Sequence, residues 1–543
     1  ATVPPISQRN AVFGAVPVGQ RNPSGVDVLN LIPTANAGTD LNNSNRLVAA
    51  PVLRNDIHQF LGKINHSINP SLSLSGFYSL FDEDRLNPYD PFFASTNLPG
   101  YGSSWENRGQ TTALTLTAIL GPRVVNESRV AFNRLSASIL QENIGINGTA
   151  SLGFPELSPD PINLGYPNVS IGGFDGIGEP INTPQKRHDN TYQFSDTLAW
   201  TPQGFGGRHR VRAGFDIRKF QVNFFLNYLA RGAYQFVGAF TGNPLEDLVR
   251  GIPVAATRLD GTTDAALRTT AYNFFIADDI QLHPQLTLNL GMRYEINRPV
   301  VDTRDRMSVP DTSAGALTCT PQPDCQFIQV GTNGIPRAGY ESDSNNFAPR
   351  IGLAWRPLDS GRLVVRSAYG VFYDATIVNV STGPRFNPPF AKIVLALNNG
   401  TANIQTILAG AVPAPPLPLT ISPEYHDPYM QHWNLDIQYE LSEGLALDLG
   451  YVGSKGTNLI ARRNVNQPVQ PDPPPHLQFG PWQTVESGSS STYHSMQFRA
   501  EKRWKSGVSW LGSYTWSKSI DNSSAFVAGS GESGLPQDSW NLR

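Results

Sequence analysis

Apolar and polar residues alternate with a period of two in paired segments along the 543 residues of this chain. Successive side chains of a β-strand point to opposite faces, so such a segment predicts a strand with one apolar face. In the segment 286–295 the apolar positions are Leu286, Leu288, Leu290, Met292 and Tyr294. The segments 433–440, 445–451 and 508–517 alternate in the same way. Helical periodicity is nearly absent, so the sequence predicts an all-β fold.

The predicted strands come in pairs, because tight turns carrying Pro, Gly, Asn or Ser separate them. The turns lie at 69–71, 121–123, 201–207, 283–285, 357–361, 442–444 and 505–507. They predict seven hairpins, and therefore about fourteen strands of about 9–12 residues. The expected hairpins span 56–81, 110–135, 190–221, 269–297, 346–374, 430–453 and 492–518.

Long polar segments separate the hairpins, at 82–109, 136–189, 222–268, 298–345, 375–429 and 454–491. A compact soluble domain rarely carries so many connections longer than about 15 residues. Outer-membrane barrels do, with short periplasmic turns at one end and long extracellular loops at the other. The pattern therefore predicts a transmembrane antiparallel β-barrel. A β-propeller is disfavoured because the hairpins recur unevenly.

The residues on the two strand faces favour lipid outside and water inside. The apolar faces end in aromatic residues typical of the interfacial girdles, namely Tyr294, Tyr373, Trp433, Tyr451, Trp510, Tyr514 and Trp516. The opposite faces carry Arg, Asp, Glu, Asn and Gln, which suit a hydrated lumen. Asp278 falls on an apolar face, so we expect it near the periplasmic rim or at a bulge.

Composition excludes other classes. The net charge is −3, with no basic domain that would neutralise nucleic-acid phosphates. The sequence contains no run of about 18 apolar residues, so it predicts no transmembrane helix. The aromatic content of 10% argues against disorder. The two cysteines, Cys319 and Cys325, fit a local disulfide clip in an oxidising compartment, with two free thiols as the alternative.

No catalytic, metal or cofactor motif appears, so we do not expect an enzyme. The nine histidines do not cluster, and the hydrolase, zinc-protease and phosphate-loop motifs are absent. The Gly-rich run 172–178 reads as a loop, because no helix follows it. The acidic run Asp82, Glu83 and Asp84 reads as a solvated loop base, with a calcium or ferric-siderophore contact as the weaker alternative.

Several segments resemble one family: 272–295, 346–357 with 366–374, 433–440, 450–457, and 501–503 with 513–519. They resemble the barrel of TonB-dependent outer-membrane receptors, most closely the Oar-like subgroup, whose members often carry an N-terminal carboxypeptidase-regulatory-like domain. The resemblance implies a twenty-two-strand barrel filled by a plug. It also implies an inner-membrane energy complex that pulls on a TonB box, and the outer membrane of a Gram-negative bacterium as location.

The chain departs from that family pattern, since no plug or TonB box is visible before residue 56 and no aromatic-ended strand closes the sequence. We therefore expect an internal segment of a longer protein. Residues 1–55 would hold the plug tail or first barrel strand, and 56–543 the barrel without its C-terminal strands.

Two sets of residues are candidates for ligand contact. Charged residues on the predicted lumen face could contact a ligand in transit, or could form cross-strand ion pairs that stiffen the wall. They are Arg293, Glu295, Arg350, Arg356, Arg366, Asp436, Asp448, Arg499, Glu501 and Arg503. Aromatic residues of the loops could bind ligand or pack the loops together. They are Tyr89, Phe92, Phe93, Tyr101, Trp105, Tyr234, Phe236, Tyr425 and Tyr429.

The first functional hypothesis is energised import of an extracellular ligand, a siderophore, glycan or peptide, with membrane lipid and the TonB complex as partners. The second is a structural or adhesive outer-membrane barrel without transport. The third is a soluble, secreted all-β binding protein, since alternation alone does not distinguish water from lipid.

Overall fold

The computed structural model describes residues 1–36, 45–89, 96–204, 206–313, 323–375, 378, 380–469, 471–505, 507–523 and 535–541. Fourteen long strands follow one another in chain order and pair antiparallel with their neighbours in one large sheet. They are β1 Arg54–Asn69, β2 Leu72–Asn87, β3 Ser103–Gly121, β4 Val124–Gln141, β5 Gln185–Trp200, β6 Arg208–Leu226, β7 Ala265–His283, β8 Leu286–Asn297, β9 Asn346–Trp355, β10 Leu363–Tyr373, β11 Tyr429–Ser442, β12 Leu445–Asn464, β13 Gln483–Lys505 and β14 Val508–Asp521.

The large sheet confirms the predicted hairpins. Each predicted pair forms, and the turns fall where Pro, Gly, Asn and Ser interrupt the alternation. The strands are longer than expected, up to 23 residues in β13. Their loop ends continue pairing beyond the apolar belt, where polar side chains hide the period-two signal from the sequence. The predicted strand lengths were therefore wrong at these ends.

The two outermost strands pair on one side only within the described residues. β1 pairs with β2, and β14 pairs with β13. The sheet is therefore open between β1 and β14, and nearly every residue of these two strands is exposed.

The strand register confirms the assignment of faces. Leu290 of β8 lies opposite Ile351 of β9, and both are exposed on the apolar face. Aromatic residues occupy this face at two levels. Trp200, Trp355 and Trp510 lie close to the turns, and Tyr192, Tyr294 and Trp516 lie farther along the strands. Two such levels are the girdles expected at the two membrane interfaces.

Asp278, the predicted exception on the apolar face, has a partner. Its Oδ2 lies 2.7 Å from Nδ1 of His209 on the neighbouring strand β6. The register shift of this hairpin falls at Gln281 and His283, so Asp278 itself is regularly paired, close to the turn. The structure thus places this carboxylate towards the turn-side rim, where a charge costs less than at the membrane midplane.

The long connections were expected to be polar loops, but several of them fold together into a second structure, here called the loop layer. Its six-stranded sheet contains Asn168–Ile171, Phe174–Ile177, Ala233–Phe236, Ala255–Gly261, Ala391–Leu397 and Val412–Pro413. Its helices are α1 Ile6–Ala15, α2 Pro23–Leu31, α3 Gly148–Ser151 and α4 Pro244–Arg250. The Gly-rich run 172–178, predicted as a loop, is part of a hairpin in this sheet. The first strand of this hairpin also pairs with Ala233–Phe236 of another loop, and the local sequence does not show that long-range pairing.

Short elements complete the connections. They are the 3₁₀ turns Val18–Gln20, Pro161–Asn163, Asp324–Gln326, Val380–Phe386 and Ile407–Gly410, and the strands Val301–Asp302, Ser308–Pro310, Phe327–Gln329 and Leu419–Ile421.

The helices of the loop layer have clear end signals. α4 begins at the cap Asn243, whose Oδ1 accepts from the Leu245 N–H, and ends at Gly251 with φ +67°. α2 begins in the same way at Asn22. The two helices touch so closely that a Cβ at Gly25 would lie 1.8 Å from the carbonyl oxygen of Leu248. Only glycine allows this approach.

The chain before β1 belongs to the loop layer in its described part. Val12 of α1 and Leu29 of α2 are buried in the same apolar core as Phe236 and Leu248. β1 then runs from the loop end to the turn end of the sheet. The expected domain boundary near residue 55 remains a prediction. No helix in the described part of the chain is long and apolar enough to cross a membrane.

Candidate ligand-binding site

A cavity of about 780 Å³ opens on the loop face. Its wall is formed by the loops after β6, β8 and β10 and by the loop ends of strands β12 and β13. The lining residues are Tyr228, Leu259, Pro323, Phe386, Asn387, Pro388, Ala391, Lys392, Ile393, Ala414, Pro415, Pro416, Leu417, Leu419, Arg462, Gly480 and Gln483. This volume lies in the usual range of ligand pockets, about 300–1,000 Å³.

The cavity wall is mostly apolar, with a few polar groups held in place. Nζ of Lys392 lies 3.1 Å from Oδ2 of Asp324 at the rim. The Asn387 amide donates to the carbonyls of Ser308 (2.8 Å) and Leu419 (2.9 Å), and its Oδ1 accepts from the Leu419 N–H. Asn387 therefore joins two loops at the cavity floor. An apolar wall with fixed polar groups is the usual composition of a binding pocket.

Aromatic and proline residues shape the remaining wall. The rings of Tyr228 and Phe386 meet edge to face at 6.2 Å, and burial raises the pKa of Tyr228. The segment 413–418 carries four prolines, which restrict the backbone to extended conformations. Sequence reasoning did not select these residues. A proline-rich stretch inside a long loop was the available signal for a rigid wall.

Arg385 lies beneath the cavity wall and is buried. Its guanidinium stacks over the rings of Phe224 (4.3 Å) and Phe386 (5.0 Å). Burial lowers its pKa to about 9, although the carboxylates of Asp264 and Asp302 favour the charged form. Phe224 belongs to β6, so this contact attaches the loop after β10 to the loop end of strand β6.

A second buried polar group connects the loops after β4 and β6. Arg231 donates to the carbonyls of Pro180 (3.0 Å) and Thr183 (2.9 Å). Glu179 accepts from the Asn143 amide at 2.7 Å. Burial raises the pKa of Glu179 to about 7 and lowers the pKa of Arg231 to about 10. The Glu179 carboxylate thus interacts electrostatically with the guanidinium that joins the two loops.

Most of the predicted lumen charges lie in ion pairs on the polar face. Nε of Arg293 lies 2.6 Å from Glu295, and Nη1 of Arg366 lies 3.9 Å from Asp436. Glu501 bridges Arg499 (2.5 Å) and Arg503 (3.6 Å). These pairs are what wall stiffening requires, and their part in ligand transit remains a prediction.

The other three predicted lumen residues differ among themselves. Arg350 stacks on the ring of Phe372, with 4.4 Å to the centroid. Asp448 lies opposite Arg499 in the register of β12 and β13. Arg356 follows β9 and donates to the carbonyl of Pro284 at 2.6 Å, so it lies in the turn region and not on the lumen wall. Strand β9 ends at Trp355, one residue before Arg356, whereas the alternation of apolar and polar residues had placed Arg356 within the strand.

The predicted loop aromatics are distributed between two environments, and their ligand role remains a prediction. Tyr101, Tyr234, Phe236 and Tyr425 are buried, while Tyr89 is exposed. Tyr234 packs edge to face on Phe154 at 4.9 Å. Trp105 and Tyr429 lie in strands β3 and β11 and not in loops, because pairing continues beyond the apolar belt. Phe92 and Phe93 lie outside the described residues.

The acidic run and the cysteines were also candidates. Asp82, Glu83 and Asp84 lie within β2 and not at a loop base, and Oδ2 of Asp82 pairs with Arg108 at 2.5 Å. Among the described residues no group of three His, Cys, Asp or Glu could hold a metal ion. Cys325 is disulfide-bonded, whereas Cys319 lies outside the described residues, so the predicted pairing remains a prediction.

A large antiparallel sheet with an apolar outer face, two aromatic levels, short turns and long loops defines the class of outer-membrane β-barrel proteins. The family model described as "Outer membrane beta barrel domain" matches residues 2–543. The chain therefore belongs to this family, and its location is the outer membrane of a Gram-negative bacterium. No curated protein matches the sequence.

A solved structure with the same fold is similar to this chain at low identity. The outer-membrane transporter YddB from Escherichia coli is 12% identical, with 88% of this chain and 50% of that chain covered and a TM-score of 0.56. The ferripyoverdine receptor of Pseudomonas aeruginosa is 12% identical, with 86% and 50% covered and a TM-score of 0.48. This chain thus spans about half the length of these proteins. The first of these proteins is described as an outer-membrane transporter and the second as an outer-membrane receptor.

Proposed function

We propose that this chain is the main part of a TonB-dependent, Oar-like outer-membrane receptor that imports an extracellular ligand. The observation that carries the proposal is the cavity of about 780 Å³ on the loop face, at the upper ends of the barrel strands. In an outer-membrane barrel the long loops face the exterior, so a cavity walled by them meets ligand from outside. The motif resemblance adds the TonB energy complex as partner.

The cavity wall favours a particular ligand chemistry. Apolar and aromatic side chains such as Leu417 and Phe386 would cover the body of a ligand, and Arg462 and Lys392, which pairs with Asp324, place cations in the same wall. Such a wall suits an amphipathic molecule that carries a carboxylate or another anion. Siderophores and peptides meet this description directly, and a glycan meets it only when acidic.

The lumen ion pairs would serve transit by opening and re-forming. Arg366 and Asp436 are both about half exposed, so water screens their attraction and separation costs little. A ligand moving along the wall could exchange one partner for its own charged group. The energy complex would act through a region of the receptor that is N-terminal to this segment.

The test uses the whole receptor in its native outer membrane and a labelled panel of ferric siderophores, acidic oligosaccharides and peptides. Leu417→Trp should fill the cavity from its exposed rim and reduce accumulation of the transported compound more than about tenfold. Leu477→Trp is the matched control, since Leu477 is an exposed loop residue outside the cavity lining.

Three results would contradict the proposal. The cavity would be the wrong site if Leu417→Trp and Leu477→Trp accumulated the same amount of compound. Unchanged uptake after deletion of the TonB energy complex would disprove energised import. Surface binding of a panel compound without accumulation would favour the adhesive barrel instead.

A further inference from the structure

A second pocket, of about 380 Å³, opens on the outer face of the sheet and is rich in cations. Here it is called the basic pocket. Lys219 of β6, Arg268 of β7, and Arg298 and Arg337 of the connection after β8 lie in its wall, together with Thr270 and Glu341. Four cations and one carboxylate make this wall positive.

Register fixes the face on which the basic pocket lies. Lys219 pairs with Tyr192 on one side and with Thr270 on the other. The Arg298 N–H donates to the carbonyl of Thr270 at 3.0 Å, which continues the same row. Phe274 lies on the same face of β7, four residues from Thr270, and is exposed towards lipid. The basic pocket therefore faces the membrane side and not the lumen.

Register also fixes its height. Tyr192 belongs to the aromatic level on the loop side, so Lys219 stands directly beside a girdle residue. Arg268 and Arg337 lie beyond it, towards the loops. Aromatic girdles mark the level of the lipid headgroups. The cations thus stand where the phosphates of the outer leaflet are expected.

The contacts within the pocket leave two cations uncompensated. The Arg268 guanidinium donates to Oδ1 of Asn223 at 2.9 Å, and Arg337 pairs with Asp305 at 2.8 Å. Lys219 and Arg298 form no ion pair within the described ranges of the chain. They flank Thr270 in one row, so two strand spacings, about 9–10 Å, separate their backbones. Long side chains from both sides can converge on one phosphate.

We propose that the basic pocket binds the phosphate group of an anionic glycolipid of the outer leaflet. Lys219 and Arg298 provide the uncompensated charge, and the fixed guanidinium of Arg268 provides oriented donors. The acyl chains would lie along the exposed apolar face below, beside Tyr192. Bound lipid would fasten the connection after β8 to the wall. This site is separate from the ligand cavity and does not depend on the proposed import function.

The experiment uses the whole protein in phosphatidylcholine nanodiscs, titrated with diphosphoryl lipid A and with its dephosphorylated form. Bound lipid is counted by native mass spectrometry. Removing two interfacial cations should weaken binding by roughly 25-fold, since each contributes about fivefold near an anionic surface. The double variant Lys219→Gln with Arg298→Gln should therefore lose the preference for the phosphorylated form.

Arg218→Gln is the matched control, because Arg218 is the neighbour of Lys219 on the opposite, lumen face of β6 and pairs with Asp216. It should bind the phosphorylated lipid as the wild type does. If the double variant does not fold, the two single variants take its place, each with a loss of about fivefold.

The proposal is wrong if the wild type binds both lipid forms equally, or if Arg218→Gln loses as much affinity as the pocket variants. It is also wrong if inorganic phosphate alone binds as tightly as the phosphorylated lipid, because the occupant would then be a free anion and not a membrane lipid.

Discussion

The sheet of fourteen long strands, here called the membrane wall, exposes apolar residue types that the loop layer buries. In the wall, Phe274 and Leu449 are 45% and 42% exposed on the outer face. In the loop layer, Phe236 and Leu248 are 0% exposed. Away from the basic pocket and the His209–Asp278 pair, the wall carries charged side chains on its inner face, in ion pairs such as Arg293 with Glu295.

This difference teaches that the surrounding solvent decides which side of a sheet becomes apolar. Lipid surrounds the outer face of the wall, so the wall depends on the hydrogen bonds between its strands rather than on a buried core. The loop layer is surrounded by water and depends on burial of apolar surface, like any soluble domain. Different substitutions should therefore unfold the two regions.

The largest expected effect is on the loop layer. Phe236→Ala removes a fully buried ring and should destabilise this layer by about 3–5 kcal/mol. Hydrogen exchange should show opening of 233–261 while the heat-modifiable gel mobility of the barrel persists. Val237→Ala, at an exposed neighbour, should change neither signal. Joint loss of barrel and loop layer in Phe236→Ala would show that the regions are not independent.

The next effect is on the wall. Leu449→Arg should destabilise the protein by about 2–4 kcal/mol, because Leu449 faces lipid between Ile437 and Phe498. Urea unfolding in lipid vesicles measures this change. Gln438→Arg is the control, because it faces the lumen opposite Asp448 and should be tolerated. Equal losses in both variants would contradict the assigned faces.

The third prediction concerns pH and again separates the regions. The pKa of Glu179 is raised from 4.5 to about 7, so the folded loop layer binds this proton more tightly than the unfolded chain does. The stability that this proton contributes is present below pH 4.5 and is lost as the pH rises to about 7. The change amounts to roughly 3 kcal/mol, from about 1.4 kcal/mol for each pH unit.

Exchange protection of 168–183, corrected for the intrinsic pH dependence of exchange, should therefore fall between pH 4.5 and pH 7. Glu179→Gln should abolish the fall, and Glu424→Gln, at an exposed loop position, should leave it intact. A fall of the same size in Glu179→Gln would assign the pH dependence to another group.

The smallest effect should come from the lumen face. Arg366→Met removes one partner of a half-exposed ion pair with Asp436 and should cost at most about 1 kcal/mol. Urea unfolding in vesicles measures the change in stability, and uptake by whole cells measures the effect on transport. Strongly reduced uptake with nearly unchanged stability would give Arg366 a part in transit. A large stability loss would assign it to the wall.

Much of the wall was predictable because its signals are local. The alternation at 286–295 and the turn at His283-Pro284 define the hairpin of β7 and β8 without reference to any distant residue. The polar face carrying Arg293 and Glu295 was predicted for the same reason. Arg356 was misplaced because the end of an alternating run is its least certain part.

The candidate site was less predictable because its residues are brought together over long distances. Tyr228, Phe386, Asn387 and Leu417 come from separate loops with no shared pattern, and none was selected from the sequence. The aromatics that were selected, such as Tyr234 and Phe236, lie buried in the loop layer. Aromatic content alone does not distinguish a loop that binds ligand from a loop with its own core.

The membrane wall follows from local sequence: the all-β class, the antiparallel hairpins and the lipid-facing side are predictable because period-two patterning and turn chemistry act between near neighbours. The loop layer, the ligand cavity and the basic pocket exist only in the folded chain. These arise where segments far apart in the chain meet, as when Ala255–Gly261 pairs with Ala391–Leu397. These contacts depend on where the membrane wall positions the loops, and no single segment of the sequence determines those positions.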